Sequence, residues 1–68
     1  MKWLLKKYMA ENHIETMRQL SEMTGIPDAT LHDRCKKPTT IKVFEIVALD
    51  AVLHFSDEDI AKVARGQV

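Results

Sequence analysis

The chain has 68 residues, and its ten basic side chains balance its ten acidic ones, so the formal net charge is zero. So short a chain is one domain spanning 1–68, and it buries only about 60% of its unfolded surface. Enclosing a catalytic pocket of about 300 Å³ or more is hard at this size, so a binding module is expected rather than an enzyme. Its single cysteine, Cys35, excludes an internal disulfide, and no Cys/His pair stands at zinc spacing. Neither metal nor cofactor is expected. The N-terminal MKWLLKKYMAENH lacks the unbroken apolar run of a secretory leader, and no stretch approaches the ~20 apolar residues of a membrane span. A reducing, cytoplasmic setting is the expectation, with no separate effector domain.

The charge is unevenly divided. Residues 1–42 carry eight basic against five acidic side chains, and residues 43–68 carry two against five. A chain so polarised can turn a basic face toward phosphate and its acidic end away.

Strand alternation is absent, and five helices are predicted in an all-α bundle. The first spans Lys2 to Asn12, with Leu4, Leu5, Tyr8 and Met9 on one face and lysines on the other. Ile14 plugs the core from the connector. The second opens at Thr16, which forms a capping box with Gln19, and carries Met17, Leu20 and Met23. Gly25 stops it, being the residue best suited to a left-handed turn. The third runs from Pro27 to Lys36, with Asp28 at the positive end of its dipole and Pro38 barring continuation. Thr39 or Thr40 caps a fourth helix from Ile41 to Leu53, apolar nearly all round and therefore expected to be the most buried element. Ser56 and Asp59 form a second capping box, opening a fifth helix that ends at Gly66.

The informative stretch is TMRQLSEMTGIPDATLHDRCKKP. Two short helices that cross steeply through a tight turn need a small residue where they touch and glycine at the turn. An apolar residue must follow the turn, and another must point inward from the second helix. Ser21, Gly25, Ile26 and Leu31 stand at those places, with Leu20 as the first helix's core residue. A helix-turn-helix is therefore predicted at about Met17–Lys36.

At these residues the sequence resembles the Xre/Cro family of lambda-repressor-like regulators. LSEMTGIPDATL is similar to that family's L-A-x-x-x-G-[VI]-[SP]-x-x-[TS]-[ILV] core, and FSDEDI is similar to its stop between fourth and fifth helices. The resemblance implies a five-helix DNA-binding domain whose third helix enters the major groove. Asp28, Ala29, His32 and Asp33 would then face base edges: His32 toward a guanine acceptor, an aspartate toward a cytosine amino group, Ala29 toward a thymine methyl. Thr16 would offer its hydroxyl and nearby amides to a phosphate. Lys36, Lys37, Thr39, Thr40 and Lys42 would grip the backbone without regard to sequence. Arg34 stands where the family buries an apolar side chain, so either the helix ends early or the arginine snorkels.

Trp3, Phe44 and Phe55 are expected in the core or at an interface, His13 and His54 at loop ends, and Cys35 as a small half-buried hydrophobe. Double-stranded operator DNA, bound by a homodimer, is the expected partner of a Cro- or repressor-like, phage-type regulator. The alternative is an antirepressor or other protein-binding module on the same scaffold. It is motivated by zero net charge and by the acidic Asp28/Asp33 pair, which could mimic phosphate.

Overall fold

The computed structural model describes residues 1–66. Those residues form five α-helices: α1 Lys2–Glu11, α2 Met17–Thr24, α3 Asp28–Lys36, α4 Val43–Leu53 and α5 Asp57–Ala64, with one 3₁₀ turn at Pro38–Thr40. No described residue is in a strand. None of the helices is long and apolar enough to cross a membrane.

Each helix gives a few apolar side chains to one core. Leu5, Tyr8 and Met9 of α1, Leu20 of α2, Leu31 of α3, Leu49 and Leu53 of α4 and Val63 of α5 are buried together with Ile14, Ile26 and Phe55 from the connectors. Ile14 thus fills the core from the loop, as its isolation between polar neighbours predicts.

The ends of the helices are closed by local chemistry. Thr16 Oγ1 accepts the Gln19 N–H at 3.1 Å and Gln19 Oε1 accepts the Thr16 N–H at 3.1 Å, the reciprocal capping box read from the sequence. Gly25 takes the left-handed conformation at φ 76° and donates its N–H to the Ser21 carbonyl. His54 ends α4 in the same conformation at φ 56°, and Asp50 Oδ1 accepts the Phe55 N–H just beyond. Tyr8 joins the two ends of the chain. Its ring meets Phe55 edge-on at 4.9 Å, its hydroxyl donates to Asp59, and its oxygen accepts the Ser56 N–H.

Three expectations are corrected. First, α4 starts at Val43, not Ile41, because Pro38–Thr40 form a separate 3₁₀ turn. Its cap comes from neither Thr39 nor Thr40: Glu45 reaches back to accept the Lys42 N–H at 2.8 Å. Second, α4 is not sealed in the core. Val43, Phe44 and Val47 are 77%, 64% and 62% exposed, because α2 and α5 pack on the opposite side. Trp3, 87% exposed, likewise lies outside the core. Third, Ser56 caps α5 by accepting the Asp59 N–H, but the Asp59 carboxylate is drawn away to Tyr8 and Lys7 instead of closing the box.

Candidate nucleic-acid interface

α2, the turn and α3 are held by short-range bonds that the sequence supplies. Ser21, the small residue of α2, donates its hydroxyl to the Ile26 carbonyl across the turn. Thr24 Oγ1 donates to the Leu20 carbonyl at 2.8 Å and accepts the Ile26 N–H at 3.2 Å. Ile26 and Leu31 then enter the core on either side of exposed Pro27. With Leu31 inward, helical spacing turns Ala29, His32, Asp33 and Lys36 outward, and all of these are exposed, as is Asp28 in the first turn of α3.

The two aspartates of the outward face each lie beside a basic side chain of their own helix. Asp28 Oδ1 lies 3.2 Å from His32 Nε2 one turn on, and Asp33 Oδ2 lies 2.9 Å from Arg34 Nη1. Arg34 divides its one charge between Asp33 and Glu45. Half-exposed pairs of this kind contribute little stability, and the face keeps its acidic character.

Thr16 is exposed at the start of α2, where the Met17 and Arg18 N–H groups have no acceptor within the helix. The amides of Glu15 and Thr16 itself are occupied by Gln19 Oε1. The Thr16 hydroxyl accepts from Gln19 and keeps its own proton to donate. Of the later candidates, Lys36, Lys37, Thr39 and Lys42 are exposed and their side chains make no described hydrogen bond. Thr40 is exposed but committed: its hydroxyl donates to the Lys37 carbonyl at 2.6 Å and accepts from Arg34 Nη1 at 3.3 Å. It shapes the loop instead of offering a free donor.

Arg34 neither ends α3 nor snorkels. Its Nε donates to Glu45 Oε1 at 2.9 Å, so one guanidinium joins Glu45, Asp33 and Thr40. Among the described residues Glu45 is the one charged residue that is buried, 3% exposed. Burial pushes its carboxyl pKa up, but the Arg34 hydrogen bond, the Lys42 N–H and both positive charges outweigh this and hold it below the usual carboxylate range. The same Glu45 hydrogen bond raises the Arg34 pKa further, so the pair is fully ionised. It ties the end of α3 to the start of α4 and thereby fixes Lys36 at the helix end and the loop that carries Lys37 and Lys42.

Sequence reasoning missed Glu45, although its place three residues after Lys42 is an N-terminal capping signal. The Arg34–Glu45 pairing spans eleven residues between two helices and leaves no local trace. Also missed were Lys2 and Lys6, which the packing of α1 against α3 brings to one groove with His32 and Lys36. Among the described residues no three His, Cys, Asp or Glu side chains gather as metal ligands. Compared with known protein families, curated proteins and solved structures, the chain has no match in any of the three.

Proposed function

We propose that this domain is a sequence-specific DNA-binding transcriptional regulator of the Cro/repressor kind, acting in the cytoplasm as a homodimer. α3 lies in the major groove, with Ala29 and His32 toward base edges and Asp28 or Asp33 toward a cytosine amino group. The observation that carries this reading is the outer face of α3: Asp28, Ala29, His32, Asp33 and Lys36 are exposed together on a helix fixed by the Gly25 turn and the buried Leu31. The N-terminus of α2 at Thr16 supplies a phosphate contact on one side, and Lys36, Lys37, Thr39 and Lys42 supply others after α3.

One reading helix per chain gives useful affinity only when two copies act on a two-fold operator. The exposed stripe Val43, Phe44 and Val47 on α4 suits that second copy, because it carries no charge to repel itself across a two-fold axis. Protein mimicry of DNA is the weaker reading. It has only two carboxylates on α3 to offer, each beside a basic side chain, against the exposed cations Lys36, Lys37 and Lys42 nearby.

Selection of bound duplexes from a random pool tests the proposal, followed by a salt titration on the winners. A palindromic motif is expected, with affinity falling steeply as salt rises, and Lys36→Ala and Lys37→Ala weakening all duplexes alike. No enriched duplex, or affinity indifferent to salt, would overturn it.

A further inference from the structure

Between α1 and α3, beside the proposed reading face, lies an open groove of about 390 Å³. That volume falls within the range of small-molecule sites, about 300–1,000 Å³. Its floor is apolar, formed by Leu5 and Met9 of α1, Met17 of α2 and Cys35 of α3. Leu5 is fully buried and closes the groove from beneath, and Met9 shows only its edge, so the exposed floor is mainly Met17 and Cys35. Cys35 is half-buried, and its desolvation raises the thiol pKa, with the N-terminal ammonium and Lys2 pulling the other way.

The rim has the opposite character. Lys2 and Lys6 stand on the α1 side and Lys36 on the α3 side, all exposed, against one carboxylate, Glu15. The remaining rim residue, His32, is already engaged with Asp28. An apolar floor beneath three ammonium groups is complementary to a molecule with an apolar body and a single negative head.

We propose that the α1/α3 groove binds a small amphipathic carboxylate, its hydrocarbon part on Met17, Cys35 and the edge of Met9 and its carboxylate among Lys2, Lys6 and Lys36. The flexible thioethers of Met9 and Met17 adapt to a chain without fixed shape. The lysines hold the head as point charges and need no fixed geometry. An occupant would lie against His32 and Lys36, so it would compete with a duplex on the same face. That consequence rests on the DNA-binding reading; the groove's affinity for the anion does not.

The test uses decanoate, octanoate and acetate as ligands, with decyltrimethylammonium as a cationic counterpart, followed by titration calorimetry and the methyl resonances of Met9 and Met17. Decanoate should bind saturably at one site and shift both methyls, about tenfold more tightly than octanoate, since each buried methylene adds affinity. Lys6→Glu with Lys36→Glu, both exposed positions that leave the fold intact, should weaken it by about tenfold or more. Cys35→Trp, which fills the groove, should abolish binding. Equal affinity for acetate and decanoate would show a lysine surface without a groove and overturn the proposal. Equal binding of the cation, or decanoate binding that survives the lysine pair, would overturn it too. Decanoate binding by a protein that selects no duplex would sink the DNA reading and leave the groove site standing. Duplex binding without any for decanoate would do the reverse.

Discussion

α3 and α4 follow one another in the chain, nine and eleven residues long, and their outer faces are opposites. α3 is polar outside and sends only Leu31 fully into the core, with Cys35 half-buried behind it. α4 is among the most apolar stretches of the chain, yet it leaves Val43, Phe44 and Val47 in solvent and buries a glutamate. Apolar content therefore does not measure burial. A helix can bury only the side that its neighbours cover, and α4 has α2 and α5 on one side alone. The difference also separates two kinds of surface. The α3 face is charged and internally paired, suited to a polar partner whose contacts are specific. The α4 stripe is apolar and unpaired, suited to association.

The contrast can be broken most severely at the point where the two helices join. Glu45→Ala leaves Arg34 without its main partner and the Lys42 N–H without an acceptor. Stability should fall by about 3 kcal/mol, measured by denaturant unfolding. A loss near zero would mean that packing alone orients α3 against α4. Acid should act through the same residue. A pKa lowered by folding means that the unfolded chain binds the proton more tightly, so this stabilisation is full above about pH 4.3, the ordinary glutamate value. It is lost as pH falls through the lower value in the folded state. Asp59, lowered first by the Tyr8 hydrogen bond and then by Ser56 and Lys7 against its own burial, adds to the trend with the same sign. Glu45→Gln should flatten the acid side of the stability profile, and an unchanged profile would contradict the assignment.

A second break concerns the α4 stripe. Val47→Asp should weaken self-association by about 2 kcal/mol in sedimentation equilibrium, while changing monomer stability by no more than about 0.5 kcal/mol, because the position is exposed. Loss of folding in step with loss of dimer would show the stripe to be part of the core. The α3 face is sharpened by His32→Ala, expected to relax base preference at one position of the selected duplex by about 1–3 kcal/mol. Equal loss on selected and random duplexes would remove His32 from base reading. The smallest effect belongs to Asp28→Asn, which breaks the pair with His32 and should cost only about 0.3 kcal/mol of stability. On random duplexes, where no cytosine is read, the same change should raise affinity slightly, since it removes a negative charge from the groove-facing side.

Much of this was legible from the sequence because it is local. Thr16 and Gln19 three residues apart form a capping box wherever a helix starts. Gly25, the one glycine between Leu20 and Leu31, takes the left-handed turn, and Ile26 and Leu31 follow inward. The exposure of Ala29, His32, Asp33 and Lys36 follows from Leu31 by helical periodicity alone.

What the sequence by itself determined, then, is the set of helices, the capping box and glycine stop of α2, and the core residues Leu5, Leu20, Leu31 and Val63 of α1, α2, α3 and α5, since these depend on residues within a turn or two of each other. Only the tertiary structure decided which side of α4 is covered, because a helix apolar all round gives no inward direction until neighbours choose one. It alone decided that Arg34 meets Glu45, that Asp59 leaves its cap for Tyr8, and that Lys2 and Lys6 stand over the same groove as Lys36. Each of these joins side chains from separate helices, and a pairing energy between distant residues has no period, spacing or composition from which to read it.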